Sequence, residues 1–330
     1  MVKLGVVALD GTKMVANASL AANRTSSSLE IEVKKMFQEA EATDAAEDTL
    51  FGADRRGDEL PKELQEPHSR LARLKQCKER LDEQAAQAKE EQQAKIEKRT
   101  QEEQQSGQKK RGRKLRAAKD VVNEEAKANV TDPDSRIMKT RSGYVQGYNA
   151  QAIATEEQII IAADVTQEEN DINQVHPMID KAQTTLENAN VTEPIKAAVL
   201  DAGYCSEANI LGVTPDDPEL YIATKKDCPE GLLWRKQRKA SSSLEVFSEP
   251  IPDGLNAKQR MEYKLKTEAG KKIYAKRKTI IEPSFGQIKD ARRIRTFFMR
   301  GIHATRGEWN LICATHNLLK LFRRNALQMA

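Results

Sequence analysis

The chain has 330 residues, enough for one large domain or two ordinary ones; 38% are hydrophobic and 32% charged, so it is more polar than an average globular domain. The net charge of +4 is modest and does not by itself mark a nucleic-acid binder, although acidic and basic blocks are segregated along the chain. No apolar run of about 18 residues offers a transmembrane helix, the first residues lack a signal-peptide layout, and Cys77, Cys205, Cys228 and Cys313 are too dispersed for a CxxC zinc site or a disulfide framework, which fits reduced thiols in a cytosolic protein.

Val2 to Leu9 is apolar and β-branched and reads as a buried strand, with Asp10-Gly11-Thr12 as the turn that ends it. From about Ser26 to about Ala128 the strong helix formers Glu, Lys, Gln, Arg and Ala dominate. Leu64, Leu71, Leu74 and Leu81 form an a/d-like stripe, continued weakly by Ala85, Ala88 and Ile96, so a helical hairpin or short coiled coil is expected. Residues 51–58 and Ser106-Gly107 read as its breaks. The start of this insert is acidic, and its end carries a basic run from Lys109 to Lys119. Such a run can touch phosphates or lie solvated, and the sequence leaves both open.

Strand character resumes at Tyr144 to Thr155 and at Gln158 to Val165, joined by a hairpin turn at Glu156-Glu157. Asn173 to Ala189 has helical spacing, with Val175, Met178, Ile179 and Ala182 on one face. Ala197 to Leu200 is a strand leading into Asp201-Ala202-Gly203-Tyr204, Ser206 to Leu211 a short helix, and Leu220 to Ala223 a strand. Residues 227–254 read as loop, and from Ala257 the pattern is helical almost to the end. The expected fold class is α/β: a mixed sheet flanked by helices, with a long charged helical insert after the first strand. The expected boundaries are 1–25 for the first strand and turn, 26–140 for the insert, and 141–330 for the rest of the core.

Asp10 and Asp201 each end an apolar strand, where the sites of α/β sheets gather. Two such carboxylates repel one another without a cation between them, and Mg²⁺ suits an all-oxygen set that also meets phosphates. Glu282, in Ile280-Ile281-Glu282-Pro283-Ser284-Phe285, stands at the start of a basic helix and completes a trio able to hold two divalent ions of the kind that cut and join phosphodiesters. Lys289 lies seven residues on, near the same helix face, and Tyr274, Arg277, Arg292 and Arg293 belong to the basic surface around it, the expected DNA-binding face. Asp164 and Asp171 are rival acids, Asp164 the main one. Trp309 and His316, among leucines and isoleucines, read as core or hydrogen-bonding residues of a last helix.

These segments resemble the DDE transposases of bacterial insertion sequences. Asp10-Gly11-Thr12-Lys13 looks like their first-aspartate segment, Gly147-Tyr148-Asn149-Ala150-Gln151-Ala152 their second strand, and Leu200-Asp201-Ala202-Gly203-Tyr204 their second-aspartate segment. Tyr274, Arg277, Glu282 and Lys289 resemble the Tyr-Arg-Glu-Lys signature, and Arg306-Gly307-Glu308-Trp309 with Thr315-His316-Asn317-Leu318 the closing helices. The resemblance implies an RNase H-like core, a catalytic trio of Asp10, Asp201 and Glu282 binding two Mg²⁺ (or Mn²⁺) ions, and DNA contacts from Tyr274, Arg277 and Lys289. It implies cutting and strand transfer at transposon ends, by a bacterial cytoplasmic, nucleoid-associated protein with transposon-end and target DNA as partners, no membrane, and a homodimer as one assembly. Members carry a DNA-recognising region before the first aspartate, and here Met1 stands nine residues before Asp10. A truncated, inactive product of a decayed element, or half of a split or frameshifted gene, is therefore the expectation, with fold and metal site kept and specific transposition lost. The alternatives are a non-catalytic remnant that binds DNA or a partner subunit, and a structural protein built on the coiled coil.

Overall fold

A computed structural model describes residues 4–51, 70–107, 115–121, 123, 125–140, 142–225, 251–252 and 254–329. In chain order the strands are β1 (Val6–Val15), β2 (Asn23–Thr25), β3 (Lys127–Asn129), β4 (Arg136–Thr140), β5 (Gly143–Thr155), β6 (Ile160–Thr166), β7 (Ala197–Leu200) and β8 (Glu219–Ile222). The helices are α1 (Ser26–Phe51), α2 (Arg70–Ser106), α3 (Val175–Asn188), α4 (Glu207–Leu211), α5 (Ala257–Lys266), α6 (Glu268–Ala275), α7 (Arg277–Gly286) and α8 (Ile302–Met329). Two compact units result, one of Ala18–Arg136 and one of Met1–Asn17 with Ile137–Ala330.

In the smaller unit β2 and β3 pair antiparallel beside α1 and α2. Leu71, Leu74 and Leu81 are buried, as their spacing predicts, and Cys77 joins the stripe. Leu74, Cys77 and Leu81 form a small core with Leu29 of α1 and Ala128 of β3. Arg70 and Lys78 of α2 pair with Glu32 and Glu30 of α1. These pairs are largely exposed and add little to stability. Leu64, residues 52–58 and the basic residues 109–114 lie outside the described residues.

The larger unit is built on a sheet of order β4-β5-β1-β7-β8, with β6 also on β5. β1 pairs antiparallel with β5 and parallel with β7, and β8 continues the parallel half. The arrangement is the mixed α/β sheet expected and is consistent with an RNase H-like fold. β7 is buried at every position, as a strand with neighbours on both edges and helices over its faces should be. Val7 and Leu9 of β1 join Val175, Met178, Ile179 and Ala182 of α3 in one core cluster. Val6 and Ala8 alternate to the opposite face, so Asp10 shares their side of the sheet, the side on which α7 meets it.

Three expectations need correction. β1 does not turn at Asp10 but runs on to Val15, paired with β5 throughout, from Val7↔Thr155 to Val15↔Gly147. Gly11 is needed for close approach instead of for a turn: a Cβ there would stand 2.3 Å from Gln151 Nε2 and 2.6 Å from Asp171 Oδ1. Second, the closing region is not continuously helical. Residues 287–291 wind as a π-helix, and the chain then returns to β1, where Val15 N donates to Arg295 O (3.1 Å) and Phe297 N to Val15 O (2.8 Å). Phe297, fully buried, packs edge-on to Tyr148 and Trp309 and anchors that return. Third, Glu282 lies inside α7, whose first residue is Arg277, and Pro283 follows it. A proline there leaves the Thr279 carbonyl without its helical donor, and the Gln158 side-chain amide fills the gap at 2.8 Å.

Trp309 and His316 are fully buried, as expected of core residues. Trp309 Nε1 donates to Gln151 O (2.9 Å), and the Asn317 amide both accepts from Ile160 N and donates to Ile160 O, extending the edge of β6 like a strand. Trp309→Phe keeps the aromatic ring but removes the indole donor to Gln151 O, and is expected to cost about 0.5–1.5 kcal/mol for the lost hydrogen bond in urea unfolding, with the secondary-structure signal unchanged.

Candidate active site

The parallel register of β1 and β7 sets Val6 beside Ala197, Val7 beside Ala198 and Ala8 beside Val199. Continued two positions past the paired residues, the same register would set Asp10 level with Asp201 on one face, and the charge of Asp201 does reach the Asp10 carboxyl. Asp201 begins a 3-10 turn, accepting Gly203 N on Oδ1 at 2.7 Å, so one of its oxygens is spent on the turn that carries Tyr204. Asp10 Oδ1 accepts Gly11 N in the same manner (2.8 Å).

Arg277 crosses from α7 to these aspartates. Its Nη2 lies 2.8 Å from Asp10 Oδ2 and its Nη1 3.5 Å from Glu282 Oε1, so one guanidinium touches the first aspartate and the glutamate. Asp10 and Arg277 are nearly buried, whereas the Glu282 side chain is half exposed. Burial pushes the Asp10 carboxyl up to about 6; Arg277 opposes this, and the charges of Asp201 and Asp171 reinforce it. Burial alone would weaken the Arg277 proton, but Asp10, Tyr274, Asp201 and Glu282 hold it above its ordinary value. By formal charge the three carboxylates Asp10, Asp201 and Glu282 exceed the one guanidinium beside them.

Asp171 enters from the loop between β6 and α3. Its Oδ1 accepts from Asn149 Nδ2 (2.6 Å) and Gln151 Nε2 (2.7 Å), and Lys13 Nζ stands 3.8 Å away. Gln151 Oε1 in turn accepts the hydroxyl of fully buried Tyr204. Burial, with the charges of Asp171, Asp10 and Asp201, raises that phenol well above its ordinary value, so it stays a donor. Asp164, the rival acid favoured by sequence, is instead held by Lys181 Nζ (2.9 Å) and Arg306 Nε. Burial opposes its ionisation, but hydrogen bonds from Lys181 and Val165 N, with the charges of Lys181 and Arg306, hold its carboxyl below its ordinary value. It ties α3 and α8 to β6. The signal for Asp171 was the pair Asn149 and Gln151, two wholly buried polar residues on one face of an apolar strand.

Lys289 Nζ donates to Thr12 Oγ1 (2.7 Å) and Lys13 O (2.8 Å), pinning the π-helix to β1. Burial lowers its pKa, and Arg295 adds to the effect. Arg292 donates to Ile312 O (3.2 Å) and Thr315 Oγ1 (2.7 Å) of α8, a tie within the core of the closing region. Arg293 is exposed, with a left-handed backbone (φ 58°). Tyr274 is half-buried and within electrostatic reach of Arg277.

Among the described residues no three Asp, Glu, His or Cys side chains already surround one point as a ligand set. Asp10, Asp201 and Glu282 nonetheless offer only oxygen donors, and their excess negative charge suits a hard divalent cation. Glu282 is tied to Asp10 through Arg277, so a cation shared by these two carboxylates competes with the guanidinium. The chemistry of the donor set thus fits such an ion, with Arg277 as the internal rival.

The family described as the transposase DDE domain matches residues 228–322. The matched segment holds Tyr274, Arg277, Glu282 and Lys289 and most of α8; Asp10 and Asp201 lie outside it. It bears out the resemblance to DDE transposases. No curated protein and no solved structure matches the chain. Among the described residues no helix is long and apolar enough to cross a membrane.

Because the Asp10 carboxyl is raised, the folded chain holds that proton more tightly than the unfolded chain does. Its contribution favours folding at low pH and is lost as pH rises from about 4 through about 6. Asp10→Asn removes this dependence. In metal-free protein the variant's stability relative to wild type should therefore climb across that interval, by about 3 kcal/mol for two pKa units, in denaturant titrations at stepped pH. A flat difference would show that Asp10 titrates normally.

Proposed function

We propose that this chain is the catalytic core of a DNA transposase, cutting and transferring strands at insertion-sequence ends, with Asp10, Asp201 and Glu282 holding two Mg²⁺ or Mn²⁺ ions. The observation that carries the reading is one guanidinium shared by Asp10 and Glu282 beside the Asp10–Asp201 register, in a chain whose residues 228–322 match a transposase DDE domain. When bound, the ions activate an attacking hydroxyl and stabilise the leaving oxygen. Asp10 within β1, Asp201 just past β7 and Glu282 of α7 would hold them. With the ions bound, Arg277 would offer its guanidinium to a phosphate. Tyr274, Lys289 and exposed Arg293 extend that basic surface along the DNA backbone, while Arg292 keeps α8 in place beneath it. A bacterial cytoplasmic protein at the nucleoid, acting as a homodimer on transposon-end and target DNA, accords with this role.

One observation favours a second reading, a protein that holds DNA without cutting it: Arg277 already supplies positive charge to Asp10 and Glu282. Supercoiled plasmid incubated with Mg²⁺ or Mn²⁺ separates the two. The catalytic reading expects nicking that falls to background in Asp10→Asn, Asp201→Asn and Glu282→Gln, with plasmid retention on a filter unchanged. Retention with no metal-dependent nicking would select the binding protein, and nicking that survives Asp201→Asn would remove the trio from the chemistry.

A further inference from the structure

The site has a fourth carboxylate that the trio does not include. Asp171 reaches it from the opposite face of the sheet, over Gly11, where a Cβ would collide with it. Its Oδ1 is committed to Asn149 and Gln151, which fixes the plane of the carboxylate. Its Oδ2 makes no hydrogen bond among the described residues and looks across Gly203 toward Asp201. A Cβ built on Gly203 would stand 3.4 Å from Asp171 Oδ2 and 2.9 Å from Asp201 Oδ1, so the glycine keeps open a gap lined by both acids. Asn149 Oδ1, fully buried and without a partner, faces the gap over Gly11 on the other side of Asp171.

The connections of Asp171 run to the turn that presents Asp201. Gln151 is held at its nitrogen by Asp171 and at its oxygen by the Tyr204 hydroxyl, and Tyr204 belongs to the turn capped by Asp201. A carboxylate at one end of a buried amide decides which way that amide points, and here it makes Gln151 the acceptor for Tyr204. Mg²⁺ and Mn²⁺ retain several waters when carboxylates bind them, and outer-shell acceptors orient those waters.

We propose that Asp171 is a positioning residue of the metal site: through Gln151 and Tyr204 it sets the turn that carries Asp201, and its free Oδ2 accepts from water on the cation that Asp201 binds. This rests on the reading of Asp10, Asp201 and Glu282 as metal ligands. It assigns a role to buried Asn149 and Gln151, which the trio leaves without one.

The test is Mn²⁺ binding to the full chain, without DNA, followed by loss of the free-ion electron paramagnetic resonance signal. Asp171→Asn keeps an acceptor oxygen for Asn149 and Gln151 and removes the charge. It should weaken Mn²⁺ binding by about 10–100-fold while the thermal midpoint of the metal-free protein is retained, and Asp171→Glu should recover part of the loss. Where the Asn variant does not fold, Asp171→Ser removes the same charge and is read in the same way. Binding within twofold of wild type in the folded variant, alongside a large loss in Asp201→Asn, would overturn the role of Asp171 and leave the trio standing. A wild-type chain that takes up no Mn²⁺ would overturn both.

Discussion

One nearly buried cation among several carboxylates governs the larger unit. Asp10 sits on a central strand under a helix, where an ionised carboxylate is costly unless paired. Arg277 provides the partner at 2.8 Å and extends to Glu282. Removing one member of such a pair strands the other, at a cost of about 3–5 kcal/mol for fully buried pairs. Yet the pairing is incomplete as compensation. The Asp10 carboxyl is still raised to about 6, because burial and the neighbouring aspartates outweigh one arginine. By formal charge three carboxylates face this one guanidinium, an excess that a purely structural ion pair would not explain.

That excess arises from backbone register. β1 and β7 are far apart in the chain and meet through parallel pairing, and the residue that follows each apolar run is an aspartate. A slip of one residue would turn Asp10 to the opposite face of the sheet from Asp201. The packed alternation of β1 forbids such a slip, since Val7 and Leu9 fill the core against α3 while Val6 and Ala8 fill the other side. Charge is concentrated by the same pattern that builds the core.

Much of this was legible in the chain. The apolar runs ending at Leu9 and Leu200, the stripe of Val175, Met178, Ile179 and Ala182, and the buried Leu71, Leu74 and Leu81 all follow from short-range periodicity, which the sequence displays directly. The two aspartates could be seen as strand-end acids, but their adjacency depends on a long-range register that no local pattern encodes. β1 was cut short because Asp-Gly is a turn signal, and here the glycine answers instead to the carboxylate and amide that crowd it. Asp164 was preferred to Asp171 because it stands in a strand. Only the partners decide between them, and Lys181 and Arg306 consume the first while Asn149 and Gln151 orient the second.

The placement of Glu282 shows how polar ties can aim a helix that apolar contacts merely seat. Ile280, Ile281, Ser284 and Ile288 are buried and set the depth of α7 and its π-helical continuation, but an apolar contact is tolerant of sliding. Sliding is blocked by the directional bonds of three side chains. Arg277 fastens the first residue of α7 to Asp10, Gln158 fills the carbonyl that Pro283 leaves bare, and Lys289 grips Thr12 and the Lys13 carbonyl, two and three residues past Asp10 on β1. Gln158 holds a left-handed backbone (φ 63°), and its carbonyl is bonded to His316 of α8. A strained hairpin residue thus links α7 to the last helix. Strain of this kind persists where surrounding bonds over-determine it, and here those bonds converge on the element that carries the glutamate. Of the three ties, the one to Asp10 is itself made to a site carboxylate. A cation that claimed Asp10 would free the start of α7 while Gln158 still held its middle and Lys289 its π-helical continuation, so Glu282 would have room to adjust toward Asp10 without the helix leaving the sheet.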